Sequence, residues 1–100
     1  MKIELLFWRG CPSHAEALET LRAVLDERRP RLPVELVEVE TQADAVRLAF
    51  PGSPTIRVDG RDVDPDGASA RPALTCRIYR LPDGRVSPVP SRDFLEEALR

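Results

Sequence analysis

The stretch Ile3 to Trp8 is an apolar run that ends at Gly10, and a cysteine, a proline and a helical pattern follow it. Leu5, Leu6 and Phe7 would stand on both faces of an extended chain, which suits a central strand covered on either side. The order reads as strand, tight turn and helix start, with Cys11 at the N-terminal end of the helix. Unpaired backbone N–H groups and the positive end of the helix macrodipole lie there. A thiol so placed ionises more readily than a free cysteine, and the thiolate is the reactive form. Cys11 is therefore the candidate for chemistry.

One hundred residues suffice for one domain, 1–100, with a modest core. A chain with 42% hydrophobic and 32% charged residues has the composition of a soluble globular protein. Its net charge of −2 comes without a long basic cluster, so nothing argues for nucleic acid. The longest apolar run is too short to span a membrane, and the start lacks the pattern of a signal peptide. A cytoplasmic location is expected. In that reducing compartment two cysteines are catalytic, ligating or buried more often than a structural staple. No cofactor is called for. Fourteen of the fifteen basic residues are arginine, asparagine is absent and there are ten prolines. That bias fits a thermophile and a GC-rich genome alike.

From Pro12 or Ser13 to Arg29, Ala17, Leu18, Leu21, Val24 and Leu25 form one face of a helix, which Pro30 stops. Pro12 at the first helical position would make Cys11 the cap. Ser13 with Glu16 would make a capping box and push Cys11 just outside. Val34 to Glu40 reads as a second strand, with Glu35, Glu38 and Glu40 on a solvated face. Thr41 caps a short helix to about Ala49, with Asp44 as its box partner. After Pro51-Gly52-Ser53-Pro54, the strands Thr55 to Val58 and Arg61 to Val63 flank the hairpin signal Asp59-Gly60. Asp64 to Ala73 is a polar loop. Cys76 to Arg80 reads as a strand turned at Pro82-Asp83-Gly84 toward Arg85 to Val89. Ser91 caps a last helix with Phe94, Leu95, Ala98 and Leu99 on its apolar face.

An α/β chain in β-α-β-α-β-β-α order, with Trp8, Cys11-Pro12 and later Ser53-Pro54-Thr55, resembles the thioredoxin-fold superfamily. Within it the chain looks most like small bacterial thioredoxin- or glutaredoxin-like proteins. The resemblance covers about residues 2 to 64 and the last helix, and leaves an extra loop or hairpin near 65–90. It implies that Pro54 is cis and packs against the nucleophilic sulfur. It also implies that the Ser53 backbone pairs with an incoming peptide or thiol. The family's second cysteine is absent: His14 stands in its place, so a dithiol enzyme using those two positions is excluded.

His14 is either a solvent-facing residue of the first turn or a partner that steadies the Cys11 thiolate or shuttles a proton. Cys76 is either a core cysteine on its strand or, carried by the extra loop, a substitute resolving cysteine within disulfide range of Cys11. Trp8 and Arg9 flank the site, with Trp8 open to a core role. The arginines look scattered. Cys11, His14 and Cys76 suit zinc, copper(I) or mercury, but no fourth cysteine or histidine exists; carboxylates such as Asp64 or Asp66 could complete a set, though nothing in their spacing requires it. The expected function is thiol–disulfide exchange. Cys11 would be the nucleophile, Trp8, Pro12, Ser53 and Pro54 the docking surface, and a protein disulfide or low-molecular-weight thiol the partner. Resolution would come from Cys76 or an external thiol. The competing class is a non-catalytic binding module using the same groove.

Overall fold

A computed structural model describes residues 1–66 and 70–100; residues 67–69 of the polar loop expected at Asp64 to Ala73 lie outside the described residues. The elements in chain order are β1 (Ile3–Phe7), α1 (His14–Arg28), β2 (Val34–Glu38), α2 (Gln42–Arg47), β3 (Thr55–Val58), β4 (Arg61–Asp62), β5 (Tyr79–Arg80), β6 (Val86–Ser87) and α3 (Arg92–Ala98). The domain is mixed α/β. Its four-stranded sheet runs β2-β1-β3-β4, with a separate two-stranded hairpin of β5 and β6 in the stretch where an insertion was expected.

β1 lies inside the sheet, parallel to β2 and antiparallel to β3, so Leu5 faces Leu36 on one side and Ile56 on the other. Its two faces feed two cores, which is why both carry apolar residues, Glu4 excepted. Ile3 and Leu5 join Ile56 and Val58 under Ala17, Leu21, Val24 and Leu25 of α1 and Leu95 and Leu99 near the chain's end. Leu6 points the other way, into a smaller cluster with Val39, Ala45 and Phe50. β2 is an edge strand, and its Leu36 is exposed.

Local chemistry sets the element ends. The Asp59-Gly60 turn has positive φ at both residues, 52° and 83°, and returns β3 into β4 as its sequence predicts. The Thr41 hydroxyl accepts the Asp44 N–H at 3.1 Å and caps α2. That helix stops at Arg47, short of the expected Ala49. Ala49 adopts φ 51° and turns the buried Phe50 so that its N–H reaches the Ala45 carbonyl at 2.8 Å. The Ser13–Glu16 capping box is not made: Ser13 caps α1 in an αR conformation with no side-chain hydrogen bond to the helix. The expected strand from Cys76 to Arg80 shortens to Tyr79–Arg80 because Cys76 pairs elsewhere. Among the described residues no helix is long and apolar enough to cross a membrane.

Candidate functional site

Cys11 sits two residues before the α1 cap, in the turn closed by its N–H to the Trp8 carbonyl at 3.0 Å. It stands outside the helix, so the helix terminus alone does not set its chemistry. The turn is tight: a Cβ on Gly10 would lie 2.3 Å from the Trp8 ring, which covers it. Across from the turn is the loop entering β3. Its Ser53 is fully buried, and its Ser53–Pro54 peptide bond is cis. The Ser53 hydroxyl accepts the Trp8 N–H at 3.0 Å, and the Cys11 thiol donates to the Ser53 carbonyl at 3.5 Å. Two segments far apart in sequence are thus tied at Ser53.

A third segment closes the site. Residues 72–77 form a strap along the loop between α2 and β3. Gln42 pins its start, donating to the Pro72 carbonyl at 3.4 Å and accepting the Leu74 N–H at 3.2 Å. Ala73 donates to the Phe50 carbonyl at 2.9 Å. Ser53 then donates to the Thr75 carbonyl at 2.7 Å and accepts the Arg77 N–H at 2.9 Å, a parallel bridge that frames Cys76. The contact demands glycine at position 52, where φ is 132° and a Cβ would meet the Arg77 Cβ at 2.8 Å.

Side chains lock the strap from beneath. Arg77 is buried and donates to Asp62 at 2.8 Å and to the Thr55 hydroxyl at 3.0 Å, with Asp64 at 3.8 Å. Its guanidinium carbon lies 4.1 Å from the centre of the Tyr79 ring. The Tyr79 hydroxyl donates to the Pro54 carbonyl, and burial pushes its phenol far above the ordinary range. Among the described residues no buried side-chain polar atom lacks a hydrogen-bond partner. This network was missed in the sequence because Arg77 is one arginine among fourteen. The available signal was the alternation Arg77-Ile78-Tyr79, whose outer members are buried while Ile78 is exposed.

The structure thus brings Cys76 beside Cys11. The core-cysteine reading of Cys76 does not hold, since its side chain is exposed, while Cys11 is buried at 1%. The two thiols act on each other, and their ionisations move apart. Burial pushes the Cys11 thiol up, but hydrogen bonds from the Cys76 thiol, from Ser13 and from Ser53 outweigh it and the net direction is down. Cys76 moves up, first because its proton is held by Cys11, then through burial and repulsion by the Cys11 charge. The signs fix the pH dependence. The lowered Cys11 stabilises the fold at and above the ordinary thiol range and loses this effect as pH falls through its folded value. The raised Cys76 stabilises below that range and loses its effect as pH rises through its own.

His14 is turned elsewhere. Its Nδ1 lies 2.9 Å from the Cys11 carbonyl, as a donor to that oxygen, and its ring stacks on Phe7 at 4.6 Å. The groups acting on the Cys11 sulfur are Cys76, Ser13 and Ser53. Pro12 is exposed beside the site and Pro54 is buried beneath it. Trp8 packs at the edge of the smaller core, and Arg9 projects outward to Glu38 at 3.3 Å. Among the described residues no three His, Cys, Asp or Glu side chains are grouped to hold a metal ion. Searches of protein-family models, curated proteins and solved structures find no match to the chain.

Ser53→Ala tests how the site is tied together. The partly buried Trp8 N–H loses its acceptor, so stability is expected to drop by about 1–3 kcal/mol. The Cys11 pKa is expected to rise toward the ordinary thiol value, followed by ultraviolet thiolate absorbance against pH in a Cys76→Ser background. An unmoved midpoint would remove Ser53 from the stabilisation of the thiolate.

Proposed function

We propose that the chain is a thioredoxin-like protein that performs thiol–disulfide exchange through a Cys11–Cys76 pair. The observation that carries this reading is geometric: Ser53 bridges to the strap on both sides of Cys76 and its carbonyl also accepts the Cys11 thiol, which sets the two cysteines on one serine. The sheet order, the parallel β1–β2 pair and the cis Ser53–Pro54 bond support the fold assignment. Of the two thiols, Cys11 is the more readily ionised. Oxidation joins the two sulfurs and passes two electrons to an external disulfide, which leaves as two thiols. Protein disulfides or low-molecular-weight thiols are the proposed partners.

The test is mild oxidation with glutathione disulfide, alkylation without reduction, digestion and peptide mapping, with Cys76→Ser alongside. A monomeric Cys11–Cys76 linkage is expected in the parent protein and none in the variant. Two free thiols after the same treatment would overturn the reading and leave the chain a binding module.

A further inference from the structure

The two sulfurs are not equivalent toward a partner. Cys11 is 1% exposed, enclosed by its own turn, by Ser53 and by the strap, whereas Cys76 faces solvent. The strap is not a loose cover. Backbone bonds hold it on both sides of Cys76, and the side chain of the next residue, Arg77, is buried among Asp62, Asp64, Thr55 and Tyr79. Thiol–disulfide exchange requires the attacking sulfur to approach along the line of the bond being broken, so an enclosed sulfur cannot meet a partner's sulfur directly.

We propose that Cys76 is the sulfur that bonds to the external partner and that Cys11 is the inner, resolving thiol, the reverse of the order expected from the position of Cys11 before the helix. This assignment rests on the proposed exchange function and specifies which atom each step uses. In oxidation, Cys76 loses its proton to solvent and attacks an external disulfide R–S–S–R, forming Cys76–S–S–R and releasing one RS⁻. The Cys11 thiolate then attacks the Cys76 sulfur. The Cys11–Cys76 bond forms, the S–R bond breaks and the second RS⁻ leaves; both RS⁻ take protons from water. In the reverse direction an external thiolate attacks the exposed Cys76 sulfur, and Cys11 departs as a thiolate into its bonds from Ser13 and Ser53. The lowered pKa of Cys11 makes it the better leaving group in that step.

Burial and ionisation predict opposite orders of labelling, which makes the test decisive. Reduced parent protein is treated at neutral pH with less than one equivalent of N-ethylmaleimide, and the Cys11 and Cys76 peptides are quantified. Control by ionisation puts the label on Cys11; control by access puts it on Cys76. The expected result is Cys76 labelled in excess of Cys11 by about tenfold or more, despite its less acidic thiol. In parallel, glutathione disulfide is given to the Cys11→Ser and Cys76→Ser variants. The adduct on Cys76 in the first is expected to form about tenfold faster than the adduct on Cys11 in the second. Labelling of Cys11 first in the parent protein would overturn the order even if either variant failed to fold. If the parent protein forms the Cys11–Cys76 linkage but Cys11 reacts first, only the order falls. If that linkage never forms, the exchange function itself falls.

Discussion

Replacing Arg77 by methionine is expected to destabilise the folded chain by about 3–5 kcal/mol, a large share of the stability of a domain this size. The guanidinium lies among two carboxylates whose side chains are 5% and 11% exposed, so its removal leaves negative charge in a poorly solvated place. Methionine keeps most of the volume and the chain direction, which isolates the charge. Urea unfolding of the variant measures the loss. Adding Asp62→Asn and Asp64→Asn to Arg77→Met is expected to recover a substantial part, because the uncompensated charge then disappears. A loss below about 1 kcal/mol for the single variant would mean that the pair is solvated like a surface salt bridge. The same substitution loosens the strap, so Cys11 in the folded Arg77→Met protein should also label faster.

Oxidation is expected to raise stability by about 4 kcal/mol, because a Cys11–Cys76 bond closes a loop of about 65 residues and restricts the unfolded chain. Both cysteines are already tied to Ser53, Cys11 through its thiol and Cys76 through the backbone bridge, which places the strap for the bond to form. The comparison is urea unfolding of the oxidised and reduced parent protein, monitored by far-ultraviolet circular dichroism. The Cys76→Ser protein should unfold at the same urea concentration under both conditions. Equal midpoints for the oxidised and reduced parent, once the linkage is verified by mass, would show that bonding strains the strap by as much as it restricts the unfolded state.

The elements around the site were readable because each follows from local chemistry. The apolar run of β1, the one-sided face of α1, the Asp59-Gly60 turn and the Thr41 and Ser91 caps need only neighbouring residues to explain them. The placement of Cys76 was accessible in outline, since the β3–β4 hairpin returns the chain toward the Ser53 end of the sheet. The details of the strap were not. Its register is set by long-range bonds to Gln42, Phe50 and Ser53, and nothing within residues 72–77 states which of them turn inward. Arg77 is invisible for the same reason: a buried arginine is identified by its carboxylates, and Asp62 and Asp64 sit in a hairpin and a loop that read as solvated. Cys76 reads as core by its strand pattern. The bridge to Ser53 takes it out of that strand and leaves it facing outward.

The chain has a single tryptophan, and its position gives the site an optical reporter of its own. The indole lies over Gly10, next to the turn of Cys11, and its backbone N–H is tied to the serine that also anchors the strap. Sulfur in its different oxidation states quenches indole emission to different extents. Formation of a Cys11–Cys76 bond is therefore expected to change the intrinsic fluorescence of Trp8, a readout that needs no label and no substitution near the two sulfurs.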